Sequence, residues 1–330
     1  MSKPLVSIII PTYNRAHLVG GTLETVVRQS YQEWECIIVD DGSTDTTQTV
    51  LEQYIKTDRR IQYYNRPISL LKGANACRNF GVSKAKGEYL IFLDSDDFLS
   101  CNCIENRVVH FLDSPDLDFI VFSMGLYRNN KFEEYIYKDV SRFGISELMN
   151  EFLNRQLPWN MTRPIWKRDF FLSVKGGFNE KMQYFQDDEF NVRSILKEGV
   201  QFKMYYVTDC YYRVAPHPKS FEPEEVKSSF YYYLQTIFSS LNREQINLGY
   251  RKIIIEFYYN FIRVHIKGAD GQMIDKIEKG FFASIDMNTK ERLLLKVQLY
   301  LNKYYYNNKG YQKMSKLIKS KLISDESIYL

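Results

Sequence analysis

Short unbroken apolar runs alternate with stretches of helical period through the first 100 residues, and that alternation leaves few folds open. "LVSIII" (5–10), "ECIIVD" (35–40), "IQYYN" (61–65) and "YLIFL" (89–93) have strand length. Their apolar residues are mostly consecutive, as in strands covered on both faces. Between them, Leu18, Leu23, Val26 and Val27, then Val50, Leu51 and Tyr54, then residues 73–87 follow a helical period. Strands alternating with helices of this length call for right-handed crossovers and a mostly parallel α/β sheet with helices on both faces. Pro11 ends the first strand, Ser43 or Thr44 is expected to cap the second helix, and Gly87 to close the third. Beyond them, 118–127 reads as a strand with 131–137 as its neighbour. Helices and loops follow from about 145, with a strand near 202–208, and from about 222 the pattern is helical to the end.

Composition excludes several classes. Of 330 residues, 45% are hydrophobic and 25% charged, which suits a large core and a second region. No apolar run approaches the roughly 18 residues of a spanning helix, and the stretch before Pro11 is too short for a signal peptide. A cytoplasmic location follows, with Cys36, Cys77, Cys101, Cys103 and Cys210 as reduced thiols. The cysteines lack zinc spacing and the four histidines are scattered, so neither builds a metal site. A net charge of +4 gives no case for nucleic acid.

Polar clusters follow three of the strands: "PTYNR" (11–15), "DDGST" (40–44) and "DSDD" (94–97). Ligands of open parallel sheets bind at those strand ends. Each cluster also has a plainer reading, as a turn, a helix cap or a loop bonded to its own backbone. The third poses a charge problem, because Asp94, Asp96 and Asp97 crowd into four residues with no basic residue among them. No G-x-G-x-x-G follows the first strand and no G-x-x-x-x-G-K-[ST] occurs, which disfavours a Rossmann dinucleotide site and a P-loop. A D-x-D site completed by Mn²⁺ or Mg²⁺ and a nucleotide diphosphate would neutralise the three acids. A solvated acidic loop is the alternative.

"VSIIIPTYNR", "IIVDDGSTDTT", "CRNFGVSKAKGEYLIFLDSDD" and "QDDEFNVR", in this order, resemble the inverting family 2 glycosyltransferases of the GT-A fold. The resemblance covers residues 4 to about 220 and implies a catalytic domain over 1–220, with a nucleotide-binding half (1–115) and an acceptor-binding half (116–220). It implies that Pro11, Thr12 and Tyr13 line the nucleotide pocket, with Arg15 and Ser95 beside the donor. Asp41 would read the uracil edge, Arg78 and Asn79 would face the diphosphate, and Asp94 would lie near the ribose. Asp96 would be the metal ligand and Asp187 the catalytic base. Gln186 stands where the family has glutamate, and Arg193 falls where its motif has arginine. Gly177, Phe178 and Asp188 would lie on the acceptor side, and Arg213 and His217 in the segment that closes over the donor.

The implied activity is transfer of a hexosyl or N-acetylhexosaminyl group from a UDP-sugar to a glycan or lipid-linked acceptor in polysaccharide assembly. A sugar nucleotidyltransferase would need a Gly-rich basic loop after the first strand, which "PTYNR" is not. A silent carbohydrate-binding or scaffold protein predicts decay of the metal and base acids, and both are intact. The region 221–330 lies beyond the resemblance. Within it, 292–324 carries Arg292, Lys296, Lys303, Lys309, Lys313, Lys316, Lys319 and Lys321 and no acid, interleaved with apolar and aromatic residues. Two readings stand: peripheral contact with the anionic inner face of a membrane, or a helical subdomain packed on the core or on a second subunit in a homo-oligomer.

Overall fold

The computed structural model describes residues 3–134, 139–215, 221–266 and 272–323. The chain divides into two compact units, Met1–Phe143 with Pro158–Ser220, and Gly144–Leu157 with Phe221–Leu330. In chain order the elements run β1 (Val6–Thr12), α1 (Val19–Val27), β2 (Trp34–Asp40), α2 (Thr47–Thr57), β3 (Ile61–Asn65), α3 (Ala74–Lys84) and β4 (Tyr89–Phe92). Next come β5 (Phe98–Leu99), α4 (Cys103–Asp113), β6 (Phe119–Arg128) and β7 (Lys131–Glu133). After α5 (Ile145–Leu153), which belongs to the second unit, the first unit resumes with β8 (Pro164–Lys167), α6 (Arg168–Ser173), α7 (Gln186–Ile195) and β9 (Phe202–Arg213).

Among the described residues the nine strands make one sheet in the order β3-β2-β1-β4-β8-β6-β9-β5, with β7 paired to β6. β1 runs parallel to β2 and β4, and β2 to β3. The chain therefore steps outward from β1 to β3 and then crosses back to place β4 on β1's other side. The second half is mixed: β8 is antiparallel to both β4 and β6, and β6 is parallel to β9.

Period-two alternation on β1 sorts the helices onto two faces. Val6, Ile8 and Ile10 join Leu23 and Val26 of α1, Leu51 of α2 and Val108 and Phe111 of α4 in one core. Ile9 faces the other way, where a Cβ on Gly81 of α3 would meet its Cγ2 at 2.5 Å. Each such fully buried aliphatic side chain contributes about 1.5–3 kcal/mol.

Three local expectations are corrected. α3 ends at Lys84 with Ala85 as its C-cap, so Gly87 does not close it. Gly87 is needed for packing instead, because a Cβ there would strike the Ser7 amide nitrogen at 2.6 Å and the Leu5 carbonyl at 2.8 Å. Neither Ser43 nor Thr44 caps α2: Ser43 Oγ accepts from the Asn14 amide at 2.8 Å, and Asp45 accepts from the Thr47 amide at 3.0 Å. β8 is a strand in a region read as helices and loops. It is four residues long, opens on proline and is buried without alternation, so it carries no periodic signal.

The second unit is helical: α5, α8 (Pro223–Ser240), α9 (Arg243–Gln245), a π-helical turn (Ile246–Tyr250), α10 (Arg251–His265), α11 (Gln272–Ser284), α12 (Thr289–Tyr304) and α13 (Tyr311–Ile323). Pro223 opens α8, and Asn288 starts α12 by accepting from the Glu291 amide at 2.9 Å. α10 packs against α5, α8, α12 and α13. Stacked rings hold it, Phe230 on Phe261 and Tyr258 on Phe281. Among the described residues no helix is long and apolar enough to cross a membrane.

In the first unit, Arg107 of α4 meets Asp209 of β9 through two nitrogens, each 2.7 Å from a carboxylate oxygen, with both side chains fully buried. Removing one partner leaves an uncompensated buried charge. Asp209→Ala should lower stability by about 3–5 kcal/mol, read as a fall in the urea midpoint of the first unit's transition.

Candidate active site

The crossover from β3 to β4 creates a crevice between the carboxyl ends of β1 and β4, where α/β sheets place their ligands. Pro11 and Thr12 end β1, both buried, and Tyr13 follows, exposed. Asp94, Ser95 and Asp96 follow β4 across the crevice. Arg15 reaches over it, with its guanidinium 3.6 Å from Asp96 Oδ2.

The crowded acids are handled one by one. Asp94 accepts from Arg78 at 2.7 Å. Asp97 is buried, accepts from the Arg213 amide at 3.0 Å and faces the Thr162 hydroxyl at 3.5 Å. Burial, then the charges of Asp94 and Asp96, hold its carboxyl well above the usual range, which favours the neutral form. Asp96 is also pushed up, by burial and then by Asp94, while Arg15 and Arg213 oppose the shift. Its only ion pair among the described residues is the long one to Arg15, and its side chain is 30% exposed. With Asp94 paired to Arg78 and Asp97 held neutral, Asp96 is the partly exposed acid whose one ion pair among the described residues is long.

Asp187 lies in the first turn of α7, half-buried, after Phe185 in a left-handed conformation. Burial raises its pKa to about 7; the Arg78 cation opposes that, and the charges of Asp94 and Asp188 add to it. Arg78 is buried and its own pKa is raised by Asp94 and Asp187 despite desolvation. Its Nη1 donates to Gln186 Oε1 at 3.3 Å and Asn75 Oδ1 at 3.2 Å. Arg78 therefore ties the end of β4 to the start of α7. Asp188 is buried at 4% exposure, and one residue along a helix turns about 100° from Asp187.

Asn79 does a different job from its neighbour. Its amide donates to the Phe178 carbonyl at 2.8 Å and to Glu180 at 2.9 Å, and its Oδ1 accepts from the Phe178 amide at 2.9 Å. Arg193 braces the same turn, bonding the Lys175 and Gly177 carbonyls while paired to Glu189 at 2.8 Å. Gly177 has φ +56°, and a Cβ there would meet Asn79 Oδ1 at 2.6 Å. The Phe178 ring is core, packed edge-on against Phe92 and close to Phe190.

On the β2 side, Asp41 is buried against the β1 end, its amide bonded to the Thr12 carbonyl at 2.9 Å. Its Oδ1 accepts from Arg66, which also bonds the Leu70 carbonyl at 2.6 Å. Lys72 lies over the Tyr13 ring at 4.3 Å. Sequence reasoning missed Arg66 and Lys72. Arg66 follows β3 directly, so the same strand-end rule applied to a fourth strand would have found it. Arg213 donates to the Asp96 carbonyl at 2.8 Å and stacks over Phe98. His217 lies outside the described residues.

Residues 7–169 match the model of the family described as Glycosyl transferase family 2. The chain is 32% identical over 211 residues to the Escherichia coli protein named UDP-Glc:alpha-D-GlcNAc-diphosphoundecaprenol beta-1,3-glucosyltransferase WfaP, a match covering 64% of this chain and 77% of that one. The chain belongs to glycosyl transferase family 2. This family 2 chain is also 36% identical over 136 residues to the putative teichuronic acid biosynthesis glycosyltransferase TuaG of Bacillus subtilis, across 41% of this chain and 53% of the relative. It spans about half the length of the first curated relatives it matches. Staphylococcus aureus TarS 1–349 in complex with UDP-GlcNAc superposes with a TM-score of 0.62 at 17% identity, over 96% of this chain and 91% of that one. The mannosyltransferase PcManGT from Pyrobaculum calidifontis, in complex with GDP-Man and Mn2+, does so at 0.51 and 16%, over 99% and 89%. The fold of this chain is GT-A with a C-terminal helical region.

The pKa of Asp187 carries a sign for stability. A carboxyl raised from about 4 in the unfolded chain to about 7 when folded stabilises the native state fully below pH 4. That contribution is lost as pH rises through 7. In the donor-free protein, Asp187→Asn should therefore melt higher than the wild type at pH 8 and lose that advantage below about pH 4, as measured by calorimetry across that range.

Proposed function

We propose that this family 2 chain is an inverting glycosyltransferase that moves a hexosyl or N-acetylhexosaminyl group from a UDP-sugar to a glycan or lipid-linked acceptor. Residues 1–220, less the 144–157 segment that belongs to the helical unit, would form the catalytic domain, with the nucleotide held by 1–115 and the acceptor by the remainder of 116–220. One observation carries the reading: the buried cation Arg78 pairs with Asp94 at the β4 end and acts electrostatically on Asp187 at the α7 start, while Asp96 stays partly exposed at the crevice. The UDP assignment draws on the relative named for UDP-Glc and on the fold neighbour holding UDP-GlcNAc.

The residues fit a hard divalent cation. Among the described residues no three His, Cys, Asp or Glu side chains converge into a closed cage. Mg²⁺ and Mn²⁺ need only one or two carboxylates when phosphate oxygens complete the shell. Asp96, partly exposed and held only by a long ion pair, would hold it, with Asp94 beside it, and a fold neighbour contains Mn²⁺. When bound, the cation supplies positive charge to the leaving diphosphate.

The chain's own residues do the rest. Thr12 and Tyr13 form one wall for the nucleoside. Arg66 fixes Asp41 through Oδ1, which leaves Oδ2 for the uracil N3–H. Arg78, kept charged by Asp94 and Asp187, faces the diphosphate. Asp187 takes the proton of the acceptor hydroxyl as its oxygen attacks the anomeric carbon. A base with a pKa of about 7 is matched to transfer near neutrality. A lipid-linked acceptor places the reaction at the cytoplasmic face of a membrane.

A panel of UDP- and GDP-sugars, assayed for hydrolysis with Mn²⁺ and with EDTA, tests the class. Loss of metal-dependent turnover on every UDP-sugar would overturn it. Asp96→Ala should abolish Mn²⁺-dependent UDP binding with the melting midpoint retained; unchanged UDP affinity by calorimetry would remove Asp96 from the metal. Asp187→Asn should keep UDP binding yet lose transfer by at least about 10²-fold, while Asp188→Asn keeps most of it. The wild-type rate should fall below an apparent pKa of about 7 as Asp187 protonates. An active Asp187→Asn enzyme would place the base elsewhere.

A further inference from the structure

Helix α12 is built with its polarity reversed. The side it buries carries Glu291, Leu295, Gln298 and Asn302. Most of their polar groups find partners within the unit: Glu291 pairs with Arg251, Gln298 Nε2 donates to Asn302 and to Tyr311 at 3.3 Å, and Asn302 bonds the Ile262 carbonyl. Gln298 Oε1 is buried without a donor among the described residues. The opposite side carries Leu293, Val297, Tyr300 and Tyr304, between 37% and 60% exposed. At 100° per residue these four fall within about 60° of arc, so they form one stripe along the outer face. Packing does not require the stripe, because the helix is already anchored on its other side. An aligned exposed apolar row of this kind marks an interaction surface.

Exposed lysines lie on the same helix and on the helix packed against it. Lys296 is exposed beside the stripe, and α13, which packs on α12, presents Met314 and Leu317 at 47% exposure among exposed Lys313, Lys316 and Lys321. Lys319 is paired with Glu256 at 2.8 Å. No acid occurs between 292 and 324. A second copy of this surface would bring like charges face to face, which is unfavourable. An anionic phospholipid headgroup layer over acyl chains complements both features at once.

We propose that the α12–α13 face is a docking surface for an anionic lipid bilayer. Leu293, Val297, Tyr300, Tyr304, Met314 and Leu317 enter the headgroup–acyl boundary, and the lysines engage lipid phosphates. The proposal deepens the lipid-linked-acceptor reading and rests on it for its biological sense, but its test involves no donor or acceptor. Failure of the catalytic assignments would leave that test untouched.

Co-sedimentation of the full chain with phosphatidylcholine vesicles, with and without phosphatidylglycerol, is the experiment. The wild type should pellet with the mixed vesicles, not with phosphatidylcholine alone, and should be released by salt. Leu293→Ser with Tyr300→Ser should weaken partitioning about tenfold or more. Lys313→Gln with Lys316→Gln should do likewise, and both double variants should keep the wild-type melting midpoint and sedimentation coefficient. Should the serine pair fail to fold, the glutamine pair, placed on exposed lysines, carries the test. Binding indifferent to phosphatidylglycerol, or unchanged in the folded variants, overturns the proposal. So does a wild-type dimer that the serine variant dissolves, which would assign the stripe to a second copy.

Discussion

A buried guanidinium is the point on which the candidate site turns. Arg78 is 3% exposed, and a cation so placed is tolerable only if anions and acceptors reach it. Asp94 supplies the charge at 2.7 Å, and Gln186 and Asn75 supply neutral oxygens. Because α3 carries the arginine, these contacts fix three chain segments against one another: the β4 end, the α3 face and the α7 start. The identity of residue 186 matters here. A glutamate in its place would add an anion beside Asp187 and push that carboxyl higher, whereas the amide bonds Arg78 without adding charge.

The acidic run after β4 illustrates how local crowding is resolved by tertiary structure. Asp94 is neutralised by an ion pair, Asp97 by burial with two hydrogen-bond donors, and Asp96 is left to the crevice. Three like residues in four positions thus occupy three different electrostatic environments. Arg213 contributes to two of them from its backbone and its side chain, which explains how a residue at the end of β9 acts on a loop more than a hundred positions earlier.

Much of the first hundred residues was legible because each strand and helix there declares its own period. The crevice followed from the same pattern, since strand ends in a parallel sheet share one edge. What was hidden depends on partners distant in sequence. Nothing near Asn79 announces that its amide will hold the 177–180 turn, and adjacency to Arg78 suggests a shared target that the structure does not give it. β8 has no alternation because three successive residues of this short interior strand, Pro164, Ile165 and Trp166, are all buried. The charges at 292–324 were plain in the sequence, but which side of α12 faces outward was not. The buried stripe contains glutamate, glutamine and asparagine, the reverse of what an amphipathic reading assumes.

The assignment of residues 144–157 to the helical unit has a consequence for how such chains can be cut and recombined. The polypeptide passes between the two units at three places, after 143, after 157 and after 220. α5 buries Leu148, Met149, Phe152 and Leu153 and packs against α10, a hundred residues later. A fragment ending at 220 would keep α5 and lose its partner, exposing a greasy helix in the middle of an otherwise intact sheet protein. Shuffling the helical unit between relatives by a single crossover would produce the same mismatch. Only a paired exchange, moving the short internal segment together with the tail, preserves the interface.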